Sequence, residues 1–253
     1  DPWKKVSKAI ITHAHADHVT GSEELKRRFS NSKIGINKNI TLVNGKPLIF
    51  YTTDCALKCQ KVNKVVITTD SKKIAQIIEN QSIEIIERPE ELGKDSTPIA
   101  PVLIHVLKHL RKKNESYDLI ILLQATSPLR TSEDVDNVIR MFEEDDSLEN
   151  VVSVVQVEDT HPGRMYSLDQ VNNLTPLEPQ SETKRRQDLE PVFLRNGCIY
   201  AVKVDSLLEK GGIILSKKKA YIMPFDDLLN IDSPRDLKIA EIMIADWLKQ
   251  SSK

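Results

Sequence analysis

The stretch "YDLIILLQATSPLR", Tyr117–Arg130, decides how the rest of the chain is read. Leu119 to Leu123 are apolar without interruption, so the period-2 alternation of a half-buried strand is absent. Such a run reads as a strand covered on both faces, as in a mainly parallel sheet. Gln124 ends the apolar run, and Pro128 fixes a turn. "TSEDVDNVIRMFEED" follows with helical spacing, Thr131 or Ser132 as cap and acids in its first turn.

The same strand-then-helix rhythm continues on both sides. Upstream, "KVVITTD" (Lys64–Asp70) reads as a strand, and "SKKIAQIIEN" as a helix with Ile74, Ile77 and Ile78 on one face. "SIEIIERP" (Ser82–Pro89) is a strand stopped by Pro89, and "DSTPIAPVLIHVLKHLRKKN" (Asp95–Asn114) a capped apolar helix. Downstream, "NVVSVVQVE" (Asn150–Glu158) is again a strand. This alternation predicts an α/β fold with a mainly parallel, open (Rossmann-like) sheet and helices on both faces. Ligands in such folds sit beyond the carboxyl ends of the strands. The residues there are Asp70, Arg88, Gln124 to Arg130, and Asp159 onward.

The rhythm breaks over about 160–193, which is polar and rich in proline and asparagine. Leu168, Leu174, Leu177 and Leu189 recur through it like hairpin contacts. It is read as an ordered excursion from the sheet, because long structureless loops inside compact domains are uncommon. "RNGCIYAVKVDSLLEKGG" returns to strand and helix. "AYIMPFDDLLNIDSPRDLKIAEIMIADWL" gives a strand, an acidic loop and a closing amphipathic helix with Pro234 near its start.

Composition narrows the class. The 253 residues carry 36 basic and 37 acidic side chains, a net charge of −1. No global basic field points to nucleic acid, so any phosphate grip comes from locally placed Lys and Arg. Cys55, Cys59 and Cys198 are too few for a disulfide framework, and the i, i+4 pair is more often a packed helix face than a metal clip. A reducing cytoplasmic setting is expected. No apolar run has membrane-spanning length, and none reads as a signal peptide.

From about Ser30 onward, the chain resembles the acylneuraminate cytidylyltransferase family, the CMP-sialic acid synthetases and their relatives. The matching stretches, in order, are "SNSKIGINKNITLVNGKPLIFYT", "VVITTD", "IIERPEELGKDST", "LLQATSPLR", "HPGRMY", "RRQDLEPVFLRNGCIYA", "YIMP" and "NIDSPRDLKIAE". The resemblance implies attack by a nonulosonic acid's anomeric hydroxyl on the α-phosphate of CTP, with loss of pyrophosphate. It implies a divalent metal (Mg²⁺ or Mn²⁺), a homodimer, and no nucleic-acid or membrane partner. Residues 30–253 would form the nucleotidyltransferase domain and about 160–193 its dimerisation arm.

By the same resemblance, "SNSKIGINKN" corresponds to a phosphate loop. Ser32, Lys33, Lys38 and Asn39 would hold the nucleotide there, with Lys38 catalytic. The loop departs from the family pattern: it is poorer in glycine, and Arg27, Arg28 and Phe29 precede it. Arg88 would also face the nucleotide; its alternative is a surface ion pair with Glu90 or Glu91. Gln124, Arg185 and Asn196 would face the sugar acid. Arg185 reads equally as part of a solvated basic run, and Arg130 as a structural partner of the helix acids. Asp232, with Asn230 where a carboxylate is usual, would hold the metal, with Asp226 or Asp227 as further candidates. Asp236 reads as support for the helix that follows.

The opening is less ordinary. "KAIITHAHADHVTG" (Lys8–Gly21) carries the HxHxDH pattern that resembles metallo-β-lactamase-like hydrolases. His13, His15, Asp17 and His18 would be its zinc ligands. The downstream ligands such a hydrolase needs are not evident, and about thirty residues are too few for a domain of at least ~50. A zinc hydrolase is therefore the alternative reading, and a catalytically impaired nucleotide-binding homologue another. Residues 1–29 are either a foreign appendage or, as preferred, a segment whose "AIIT" supplies the first sheet strand.

Overall fold

The computed structural model describes residues 8–14, 38–79, 82–94 and 96–251. Its centre is a seven-stranded sheet. Four strands run parallel: β1 (Lys8–Ala14), β4 (Lys64–Thr69), β5 (Glu84–Glu87) and β6 (Leu119–Gln124). β7 (Asn150–Val157) and β11 (Lys218–Met223) are parallel to each other, and β10 (Val192–Lys203) lies between β7 and β6, antiparallel to both. The order across the sheet is β11-β7-β10-β6-β1-β4-β5.

β6 shows why the sheet is sandwiched. Leu119, Ile121 and Leu123 face one way and Ile120 and Leu122 the other, and all five are buried. On the first face they meet helices α1 (Leu48–Lys58) and α4 (Ser132–Glu144) through Ala56, Val135, Ile139 and Phe142. On the second they meet α3 (Ile99–Lys112) and α5 (Val204–Lys210) through Leu103, Val106, Leu107 and Leu207. Each such side chain contributes about 1.5–3 kcal/mol when fully buried, so this strand is the fold's main apolar anchor. α2 (Lys72–Ile78) packs Ile74 and Ile78 against Ile67 of β4, one strand in from the sheet edge. α6 (Pro234–Ser251) closes a further cluster with Leu48, Leu129 and Ile231.

Lys8–Ala14 fills the slot between β4 and β6, with Lys8 opposite Leu119 and His13 opposite Gln124. Its start is fixed from several sides. The Lys8 ammonium pairs with Glu143 at 2.8 Å, its amide donates to Asn63 Oδ1, and its carbonyl accepts from the Asn63 amide. His15, Asp17 and His18 of the histidine pattern, like Ser32 and Lys33, lie outside the described residues.

Segment 160–193 is ordered. It contains a hairpin of β8 (Tyr166–Leu168) and β9 (Leu174–Pro176), flanked by short 3-10 turns. Its root is pinned by His161, where Nδ1 accepts from the Gly163 amide at 2.9 Å. The proton is therefore on Nε2, which donates to the Glu190 carbonyl at 3.0 Å. The remaining short strands, β2 (Leu42–Val43) and β3 (Lys46–Pro47), form a small hairpin ahead of α1.

Candidate active site

The chain runs from β1 outward to β4 and β5, then returns to β6 on the other side of β1. The switch point therefore lies between β1 and β6, where the backbone register sets His13 opposite Gln124 at the carboxyl ends. In open α/β sheets this crevice is where ligands bind.

The turn after β6 is the best-defined wall of that crevice. Ser127 is fully buried, and its hydroxyl donates to Asn230 Oδ1 at 2.7 Å, joining residues far apart in sequence. Beside it, the Ile231 amide donates to the Thr126 carbonyl at 2.9 Å. The loop after β11 is thereby stitched to the turn after β6. Arg130 holds the turn from within. Its guanidinium is 1% exposed and donates to the carbonyls of Gln124 and Ser127 and to Thr52 Oγ1. The expected pairing of Arg130 with helix acids is replaced by these neutral acceptors. Asp134 instead closes a capping box with Thr131 and accepts from the Tyr221 hydroxyl at 2.8 Å.

Gly197 supplies the floor. It sits in a register break of β10, between Arg195 and Tyr200, with φ at +77°. A Cβ placed there would lie 2.7 Å from Ser127 Oγ and 2.8 Å from Gln124 Oε1, with Asn230 Oδ1 at 3.5 Å. Three side-chain oxygens from two loops thus converge on a position where only glycine fits. The resemblance singles out Asn196, before Gly197, for the sugar acid. The structure turns Asn196 inward, 1% exposed, with Oδ1 accepting from Ser153 and the Cys198 amide and Nδ2 beside Met223 Sδ. Asn196 supports the floor from beneath, and Gly197 is the residue that meets Gln124. A glycine between two buried strand halves was the available signal for this.

The metal candidates lie where the β11 loop enters α6. Asn230 and Asp232 are both exposed, two residues apart. Asp236 accepts from the amides of Asp232 and Ser233 and from the Ser233 hydroxyl, so it caps the helix as expected. Its carboxyl is pulled below the usual range by these hydrogen bonds, against the opposing effect of burial. Asp227 behaves oppositely: burial, then the nearby Asp134 and Asp226, push it up to about 6. Among the described residues, no group of three or more His, Cys, Asp or Glu side chains is placed to hold a metal ion by itself. A site with one carboxylate and one amide oxygen suits Mg²⁺, which takes its remaining ligands from phosphates and water.

On the far side of β1, Arg88 is enclosed and pairs with Asp70 at 2.6 Å rather than with Glu90 or Glu91. Gly93 packs close against the Asp70 carboxylate, so the loop after β5 clamps the pair. Lys38 and Asn39 open a 3-10 turn (Lys38–Ile40) that leads to the β2–β3 hairpin, and Asn39 is buried. Arg185 projects from the arm, exposed, and forms a two-pronged pair with Asp188.

Comparison with known proteins places the fold in a family. The family model described as Cytidylyltransferase matches residues 28–242. The chain belongs to the cytidylyltransferase family. Within the family it is 30% identical over 209 residues to the N-acylneuraminate cytidylyltransferase of Streptococcus agalactiae, covering 82% of this chain and 49% of that protein. It therefore spans about half the length of the first curated relatives it matches. It is 27% identical over 206 residues to the CMP-N,N'-diacetyllegionaminic acid synthase of Legionella pneumophila, covering 81% of this chain and 88% of that one. Among solved structures, a CMP:2-keto-3-deoxy-manno-octonic acid synthetase complexed with CTP superposes with a TM-score of 0.68 at 16% identity, covering 95% and 99% of the two chains. That likeness speaks for the fold, the mixed and mostly parallel sheet described above. Family membership does not favour the zinc hydrolase reading of the histidine pattern.

Proposed function

We propose that this chain is a cytidylyltransferase that joins CTP to a nonulosonic acid, giving a CMP-sugar acid and pyrophosphate. The observation that carries the proposal is the cytidylyltransferase match across residues 28–242, shared with relatives that are named for sialic-type acids. The crevice at the switch point supports it. Gln124 packs directly against the Gly197 backbone, which fixes where its amide stands at the end of β6. Its amide orients the sugar acid. Arg185 on the arm approaches the carboxylate of a sugar bound to a second copy in a homodimer. The hairpin supports that assembly: Leu168 faces Leu174 and Tyr166 faces Pro176 across it, and the two leucines and Tyr166 are exposed.

On the nucleotide side, Ser32, Lys33, Lys38 and Asn39 grip the triphosphate, and the enclosed Arg88 shapes the wall beside it. Lys38 sets positive charge against the charge that develops on the leaving pyrophosphate. Asp232, with the Asn230 carbonyl, would hold a Mg²⁺ or Mn²⁺ ion, which when bound neutralises charge on the triphosphate. The enzyme works in the cytoplasm, with no nucleic-acid or membrane partner. Among the described residues, no helix is long and apolar enough to cross a membrane.

The test is pyrophosphate release from CTP and Mg²⁺ across a panel of sialic, legionaminic and pseudaminic acids. Turnover with at least one acid is expected. In Asp232→Ala it should fall by about a hundredfold, as for loss of one electrostatic contact in a transition state. Absence of turnover with every acid, from protein that is folded, would refute the proposal.

A further inference from the structure

The turn that shapes the crevice is bracketed by sulfur. Cys59 Sγ lies 3.8 Å from the Ser132 carbonyl and 3.3 Å from the Cys55 carbonyl, and Cys198 Sγ lies 3.6 Å from the Leu129 carbonyl. Arg130 is in the middle. It is a buried cation whose partners are two carbonyls and a hydroxyl, with no carboxylate ion-paired to it among the described residues and no hydrogen-bond partner for its Nε. A buried charge without a counter-charge is costly. Among the groups Arg130 acts on are the Cys55 and Cys198 thiols, either of which would supply one as a thiolate.

Cys55 is suited to that role. Hydrogen bonding from the Cys59 thiol, aided by Arg130 and opposed by burial, holds Cys55 below the usual thiol range. Cys59 moves the other way, its proton held by Cys55 and by its own burial. Cys198 is pushed up to about 12 by burial. Cys55 is buried, and of the three sulfurs it alone is held below the usual thiol range; the half-buried Cys59, one helical turn on, lies against its carbonyl as the resolving partner.

Backbone geometry allows the two to join. Residues i and i+4 of a helix have Cβ atoms about 5–6 Å apart, and a disulfide needs about 3.5–4.5 Å. Cys59 is the C-cap of α1 and has already left the helix, with φ −64° and ψ 131°. It can swing toward Cys55 without breaking helical turns. Among the described residues the three thiols are free, and none belongs to a metal-binding group.

We propose that Cys55 and Cys59 form a peroxide-reactive dithiol that closes to a disulfide and loosens the Gln124–Arg130 turn. The Cys55 sulfur attacks the O–O bond, giving a sulfenic acid and hydroxide. The Cys59 sulfur then displaces the sulfenic hydroxyl, and its thiol proton leaves in water. Two thiols and one hydrogen peroxide yield one disulfide and two waters. The disulfide removes the Cys59 thiol's contact to the Ser132 carbonyl, next to the turn that Arg130 holds. The consequence for catalysis rests on the cytidylyltransferase reading; the covalent step does not.

The experiment treats the full chain with hydrogen peroxide, alkylates remaining thiols and maps the products by mass spectrometry. The expected product is a peptide that carries both cysteines, is two hydrogens lighter, and returns to the dithiol with dithiothreitol. Cytidylyl transfer should fall at least threefold in parallel and recover with reduction, while Cys59→Ser should yield no such peptide and instead a Cys55 sulfenic acid that a dimedone probe captures. Full alkylation of both residues after peroxide, or oxidation confined to Cys198, would overturn the site whatever the activity. A disulfide that forms with unchanged turnover would overturn its coupling to the turn. Should the chain show no turnover with any sugar acid, retained CTP affinity before and after oxidation would decide the coupling instead.

Discussion

The crevice floor and the arm are built on opposite plans. In the floor, polar groups answer one another: the buried Arg130 holds Gln124 and Ser127, Ser127 holds Asn230, and Gly197 has no side chain to push them apart. In the arm, the charged pairs Arg185–Asp188 and Arg186–Glu158 lie at the surface, and apolar side chains such as Leu168 and Leu174 face water, each 62% exposed. Buried hydrogen bonds are strengthened by low dielectric and fix geometry, whereas exposed ion pairs contribute little. The floor is thus preorganised by its own chain, while the arm displays a surface whose apolar area is not covered by that chain.

The sharpest break should come at Gly197. Gly197→Val forces a branched side chain into a positive φ and against Ser127 and Gln124. Destabilisation of about 3 kcal/mol or more is expected from strain and overpacking combined, read as a lowered urea midpoint with turnover lost. Arg130→Met comes next. It keeps the volume but leaves the Gln124 and Ser127 carbonyls and the Thr52 hydroxyl without their donor. A cost of about 2–3 kcal/mol is expected, with a larger proportional loss in kcat than in CTP affinity.

In the arm, the paired change Leu168→Glu with Leu174→Glu should alter stability by less than about 0.5 kcal/mol, as exposed positions do. It should nevertheless shift sedimentation from dimer toward monomer. Equal destabilisation of floor and arm variants would erase the contrast between them.

The smallest effect tests the floor's edge. Asp227 has a folded pKa of about 6, above its ordinary value of 3.8. A carboxyl raised on folding contributes its stability below the unfolded value and loses it as pH rises through the folded one. Asp227→Asn should therefore gain about 1 kcal/mol at pH 8, after discounting for partial exposure, and nothing near pH 3. Urea midpoints at the two pH values measure it.

Much of the fold was legible because the strands carry strong patterns. "LIILL" reads as doubly buried, and the structure covers it on both faces. "AIIT" reads as a strand and pairs with β4 and β6. Periodicity does not encode strand direction, so nothing in β10 announced that it runs antiparallel to both neighbours. The candidate site was legible only where a residue's chemistry and its position coincide, as at Gln124 after β6. Asn196 and Arg130 were harder, because a polar letter does not say whether its partners are ligand or backbone. Three-dimensional closure, joining Ser127 to Asn230 across the fold, supplied that answer.

The length of β10 has a mechanical consequence. The arm's root enters this strand at Val192, Gly197 interrupts its middle, and Tyr200 to Lys203 lock it to the central β6. From the root to Gly197 the span is about 17 Å at ordinary strand rise. A single covalent beam therefore connects whatever grips the arm to the floor of the crevice, hinged at its one glycine. Seating the arm on a second copy, as proposed, would press on the Gln124 face of that hinge, so that assembly and the shape of the crevice would share one lever.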